Sequence, residues 1–121
     1  MRLICAVIEI ESGGDANARN KHSQGIMQIN GGSFNSDSNI ISGSKMLANL
    51  VAKSMNEYLD NDTVGAYCIR PQNPEEVLHR ALTSYNFGWH GANRYRAKHG
   101  HFNSDYSKKV LKKYREFKNG K

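Results

Sequence analysis

Glu11 takes the place on an apolar helical stripe where another aliphatic side chain would be expected. In the opening segment Leu3, Ile4, Val7 and Ile8 recur at the spacing of one helix face. The next step of that stripe is an acid, followed at once by Ser12, Gly13 and Gly14. Glu9 falls on the opposite face, where solvent explains it. A carboxyl drawn onto the apolar face loses hydration, so its neutral form is favoured and its pKa rises above the ordinary value. A carboxyl still protonated near neutrality is what a general acid requires. The spacing also allows a plainer reading, in which the glycine pair breaks the helix and turns Glu11 outward to water. A second stripe, Val77, Leu78, Ala81, Leu82 and Tyr85, likewise ends in a polar group. If the two stripes face one core, the tyrosine hydroxyl could orient the carboxyl; a hydroxyl resting on a backbone carbonyl is the alternative.

Five helices and two substantial loops must position these groups. The first helix covers about residues 2–11, and the Gly-, Asn- and Ser-rich stretch 12–24 reads as loop or short strand. A short apolar turn, Ile26 to Ile29, precedes a polar loop over 31–38. The longest helix is expected from Asn39 to Tyr58, with Ile40, Leu47, Leu50, Val51, Ser54, Met55 and Tyr58 on one side. Gly43 and Ser44 would let another helix pack close. After a second loop over 60–72, Asn73-Pro74-Glu75-Glu76 is a strong helix start, with an Asn cap, Pro at the first position and two acids at the positive helix end. Gly88 closes that helix. A short helix over Ala92–Lys98 ends at Gly100, and the last begins near Ser104, with Val110, Leu111, Tyr114 and Phe117 inward.

At 121 residues the chain reads as one compact, mostly α domain over 1–121, without repeats or low-complexity segments. No apolar run approaches the roughly 20 residues that span a bilayer. Glu9 and Glu11 interrupt the opening apolar run, so it does not read as a signal peptide. From Arg94 onward ten Lys or Arg face only Asp105 and Glu116, a net +8 that leaves −2 for the rest. A basic end favours polyanions, namely nucleic acid, anionic lipid or an anionic wall polymer, unless it is simply a solvated helix face. Tyr95, Tyr106 and Tyr114 lie among these bases, but no nucleic-acid motif does. Cys5 and Cys68 allow one disulfide at most, and Cys5 on the hydrophobic opening helix reads as a buried free thiol. There is no Cys-x-x-Cys, no His-Glu-x-x-His and no phosphate-binding Gly-rich loop. His99-Gly100-His101 is a weak metal hint that reads as a surface turn.

Four segments in order carry a family resemblance. The stretch Glu11 to Ala18 (Glu-Ser-Gly-Gly-Asp-Ala-Asn-Ala) and the stretch Gly25 to Ile29 (Gly-Ile-Met-Gln-Ile) come first. Asn39-Ile40 with Gly43 follows, then Ala81 to Gly88 (Ala-Leu-Thr-Ser-Tyr-Asn-Phe-Gly). Together they resemble the motifs of the bacterial lytic transglycosylase catalytic domain, SLT-type and related to goose-type lysozyme. The resemblance implies a mainly α, lysozyme-like fold and a peptidoglycan glycan strand as substrate. It implies cleavage of the β-1,4 bond between N-acetylmuramic acid and N-acetylglucosamine, with a 1,6-anhydro ring formed on the muramic acid. Glu11 would be the catalytic acid and then base, Ser12 would hydrogen-bond near it, and Met27 and Gln28 would stand on the cleft wall. The Gln28 amide both donates and accepts, which suits an N-acetyl group, while Tyr85 and Asn86 would line the cleft. No metal or cofactor is needed.

Three other readings stand beside this one. A goose-type hydrolase would need a second carboxylate about 6.5–9.5 Å from the first. Asp15 and Asp37 are the candidates, Asp37 the better placed, although Asn30 stands where that lysozyme family carries Asp. A catalytically silent wall-binding or virion module would keep the fold without the reaction, and the basic tail could serve a nucleic-acid binder. With wall cleavage, the basic last helix would attract anionic wall polymers. The chain begins inside the family's usual second helix. It is therefore expected to be an excised domain, or an enzyme brought to the wall or periplasm by phage lysis, a virion or a secretion system.

Overall fold

Several helix starts fall where a side chain satisfies an amide that the helix itself cannot. The structure is a computed structural model describing residues 2–60 and 70–120. Its elements are helix α1 (Arg2–Ser12), strands β1 (Ser23–Gln24) and β2 (Ile29–Asn30), and helices α2 (Ser36–Leu59), α3 (Pro74–Phe87), α4 (Trp89–His99) and α5 (Asp105–Lys118). The fold is mainly α. As expected, Asn73 caps α3, its Oδ1 accepting from the Glu76 amide at 2.8 Å, and Pro74 fills the first turn. Helix α2 starts before the expected Asn39. Asn35 Oδ1 accepts from the Ser38 amide at 3.0 Å, so the polar stretch read as loop is already a capped first turn. Helix α4 starts at Trp89, ahead of Ala92, because Gly88 ends α3 and begins α4 at once.

The residues group into two units, Met1–Met46 with Lys109–Lys121, and Leu47–Lys108; α2 and α5 contribute to both. In the first unit β1 and β2 pair antiparallel, Ser23 opposite Asn30 and Gln24 opposite Ile29. The buried apolar side chains there are Ala6, Val7, Met27, Val110 and Leu111. Gly43 admits the side chain of Met27 where a helix was expected; a Cβ at that position would stand 2.6 Å from Met27 Sδ. Cys5 is exposed, so the expectation of a buried thiol fails. Its stripe is narrow, with only Ala6 and Val7 of α1 fully buried. Cys68 and most of the expected 60–72 loop lie outside the described residues.

The second unit is held by polar groups as much as by apolar ones. Helix α3 buries Val77, Ala81, Leu82 and Tyr85, but also His79, Arg80, Thr83 and Ser84. Arg80 is fully buried, its Nε donating to Glu57 Oε1 at 3.0 Å and its Nη1 to the Trp89 carbonyl at 3.2 Å. The guanidinium also lies 3.4 Å from the Trp89 ring centroid. Burial pulls Arg80 below the ordinary arginine range, and Glu57 opposes that shift. Thr83 Oγ1 donates to the Phe102 carbonyl at 2.6 Å, and Ser54 Oγ on α2 donates to the Val77 carbonyl at 2.8 Å. Met55, expected on the inner side of α2, is exposed, and the buried positions of that helix are Asn39, Gly43, Leu47 and Ser54. Among the described residues no helix is long and apolar enough to cross a membrane.

Candidate active site

Glu11 lies half-buried in the last turn of α1. The next residue ties that turn to the following loop: Ser12 Oγ donates to the Ile26 carbonyl at 2.6 Å and accepts from the Gly14 amide at 3.1 Å. Ser12 thus fixes the helix end that presents the acid. The turn it reaches, Gly25 to Gln28, is held by side-chain amides. Gln28 Nε2 donates to the carbonyls of Ala18 and Gly25, each at 2.8 Å. Both of its amide protons are engaged inside the protein, which leaves the amide oxygen as its remaining acceptor. Those bonds also brace a non-glycine residue at φ +53, in the left-handed region. Met27, expected on the cleft wall, is instead fully buried against Gly43, so it supports the turn from within and does not face a sugar.

Asn39, read from the sequence only as a helix start, clamps this turn. Its Oδ1 accepts from the Met27 amide at 2.8 Å, and its Nδ2 donates to the carbonyls of Gln24 at 2.9 Å and Ser33 at 2.8 Å. One buried carboxamide therefore links α2 to both sides of the short hairpin. The available signal was an Asn one turn upstream of Gly43 on the helix's inner face, where hydropathy looks for a leucine. The two other acids of these loops have local duties. Asp15 Oδ1 accepts from the Asn17 amide at 2.9 Å, and Asp37 is exposed in the first turn of α2, at the helix's positive end.

Tyr85 and Asn86 belong to the second unit. They are consecutive in the last turn of α3, Tyr85 buried and Asn86 exposed. The helix end carrying them is closed by the Gly88 amide, which donates to the Ser84 carbonyl at 2.7 Å.

An acid at a helix end, a braced Gly-x-Met-Gln turn and a Tyr-Asn pair before a capping glycine recur in the order seen in the sequence. The family model of the transglycosylase SLT domain matches residues 1–108. The chain is an SLT domain. It matches no curated protein and no solved structure. Its mainly helical architecture is that of the lysozyme-like SLT fold. As an SLT domain it is of the peptidoglycan-degrading, lytic transglycosylase type, acting where peptidoglycan lies. The tail beyond Lys108, with its basic residues, falls outside the matched part of the SLT domain.

Proposed function

We propose that this SLT domain cleaves the β-1,4 bond between N-acetylmuramic acid and N-acetylglucosamine with Glu11 as its one catalytic carboxyl. Protonated Glu11 donates to the glycosidic oxygen as the bond to the muramic C1 breaks through an oxocarbenium-like state. The carboxylate then takes the proton of the muramic 6-hydroxyl as that oxygen bonds to C1. The 1,6-anhydro ring closes, Glu11 is again protonated, and no water is consumed. The nucleophile is already part of the substrate, held beside the reacting carbon, which supplies the proximity advantage. Met27 supports the turn from within, Gln28 stands beside the sugar, and Ser12 positions the acid. Tyr85 and Asn86 handle the sugar from α3.

The observation that carries this reading is the half-buried Glu11 on a helix end stitched by Ser12 to the braced turn of Met27 and Gln28. The local duties of Asp15 and Asp37 favour it over a hydrolase that needs one of them to activate water. Mass spectrometry of digested peptidoglycan, before and after borohydride, tests it. Muropeptides should end in 1,6-anhydro-muramic acid, one water lighter than hydrolase products and resistant to reduction. Asp37→Asn should leave that yield nearly unchanged. Reducible products that vanish in Asp37→Asn would instead establish the goose-type hydrolase. No product from any wall preparation would establish a silent binding module.

A further inference from the structure

The corner between α3 and α4 carries an open aromatic groove that none of the residues assigned above occupies. Phe87 is 50% exposed at the end of α3. Its ring lies 6.1 Å from that of Tyr95 between centroids, at an interplanar angle of 23°. Tyr95 in turn contacts His99 at 4.2 Å between centroids. Positions 87, 91, 95 and 99 step by four along this corner, and the one without a side chain is Gly91. A Cβ there would stand 2.8 Å from Phe87 Cβ, so glycine keeps the floor open. Exposed Arg94 and Lys98 flank the rings, and the groove, open to solvent, offers about 360 Å³.

Each part of this groove selects a chemical feature. A pyranose ring presents C–H bonds of slightly positive character, which suit the negative faces of Phe87 and Tyr95. A guanidinium and an ammonium beside those rings suit an anion attached to the sugar. A simple polyanion would use the cations and leave the aromatic faces idle. A neutral chitin-like glycan would leave the cations idle. We propose that the Phe87–Tyr95 groove binds an acetamido sugar bearing a carboxylate, the anionic unit of a peptidoglycan strand. The sugar ring lies on the aromatic faces and the carboxylate between Arg94 and Lys98. The ligand class rests on the wall-cleaving reading above; the groove itself does not.

Titration followed by the backbone amide resonances of Gly91 and Tyr95 tests the site directly. The probe is the disaccharide N-acetylglucosaminyl-N-acetylmuramic acid, whose internal linkage is not the bond proposed for cleavage. Chitobiose, of similar size and neutral, is the control. At low salt the acidic disaccharide should bind about tenfold more tightly, as two exposed charge pairs at most allow. Arg94→Gln with Lys98→Gln should erase that preference, and Tyr95→Ala should weaken both ligands. A parallel titration with the disaccharide extended by L-Ala-D-Glu identifies the source of the carboxylate, muramic acid or stem peptide, by which form binds better. Equal affinity for chitobiose, resonances that do not move, or tighter binding of a short oligothymidylate would each overturn the proposal. Release of anhydro-muropeptides with unmoved Gly91 and Tyr95 discards the groove and keeps the Glu11 chemistry. Movement of those resonances without anhydro product discards the chemistry and keeps the groove.

Discussion

Asn39 and Glu11 stand within one unit, yet their replacements should separate architecture from chemistry. The Asn39 carboxamide is buried at 1% exposure and bonds three backbone groups. Asn39→Leu leaves the Met27 amide and the carbonyls of Gln24 and Ser33 without that partner. Each unsatisfied buried group costs about 1–3 kcal/mol, so a loss of at least about 2 kcal/mol is expected in urea unfolding. Glu11→Gln is nearly isosteric and should change stability by less than about 1 kcal/mol while abolishing wall cleavage. A folded Glu11→Gln protein that retained most of its activity would remove Glu11 from the acid's role. Tyr85→Phe should lower kcat more than it raises KM, because a hydroxyl acting in the transition state shows in turnover. An unchanged kcat would return Tyr85 to packing alone.

Among the elements, the junction of α3 and α4 depends on a single residue. Gly88 adopts φ +82 and ψ 162, a region essentially reserved for glycine. Its amide closes α3 on the Ser84 carbonyl, and its own carbonyl accepts from the Ala92 amide at 2.9 Å. Among the described residues, its chain neighbours aside, no atom lies within 4 Å of where a Cβ would stand, so the cost of Gly88→Ala is backbone strain, about 1–3 kcal/mol. Chemical unfolding should show it, together with reduced turnover, since Tyr85 and Asn86 precede the junction. The start of α3 was legible because Asn73 and Pro74 are side-chain signals. The start of α4 was not, because Gly88 makes no side-chain cap. Helix α2 was misjudged at its first turn because Asn35 and its neighbours look like loop until one asks which amide they cap. Its buried positions include Asn39, Gly43 and Ser54, a face that hydropathy does not see. Glu11, the Met27–Gln28 turn and the Tyr85–Asn86 pair were legible as motifs. The duties of Ser12, Gln28 and Asn39 were not, because a hydrogen bond to a distant carbonyl leaves no mark on periodicity.

Across the whole molecule, charge collects in the last third of the chain. On α5, Lys108, Lys109 and Lys112 are exposed, while Lys113 is half-buried with its ammonium 3.5 Å from Glu116. Replacing all four with Gln should weaken binding to whole walls at low salt and matter much less for short neutral glycans, since exposed charge is screened by salt. Equal losses on both would assign these lysines to folding. Arg80, buried on α3, is held there by Glu57 and Trp89. That arrangement has an optical consequence. The chain has one tryptophan, Trp89, with the Arg80 guanidinium and the Lys53 ammonium 3.4 and 4.1 Å from its ring centroid. Its emission therefore reports on residues 47–108, whereas far-ultraviolet dichroism reports on helices throughout. Helices α2 and α5 run without a break through residues of both units, so unfolding either unit withdraws helix from the other. The fluorescence and dichroism transitions should coincide as one cooperative step. A fluorescence midpoint displaced from the dichroism midpoint would reveal two separately melting halves in a single small chain.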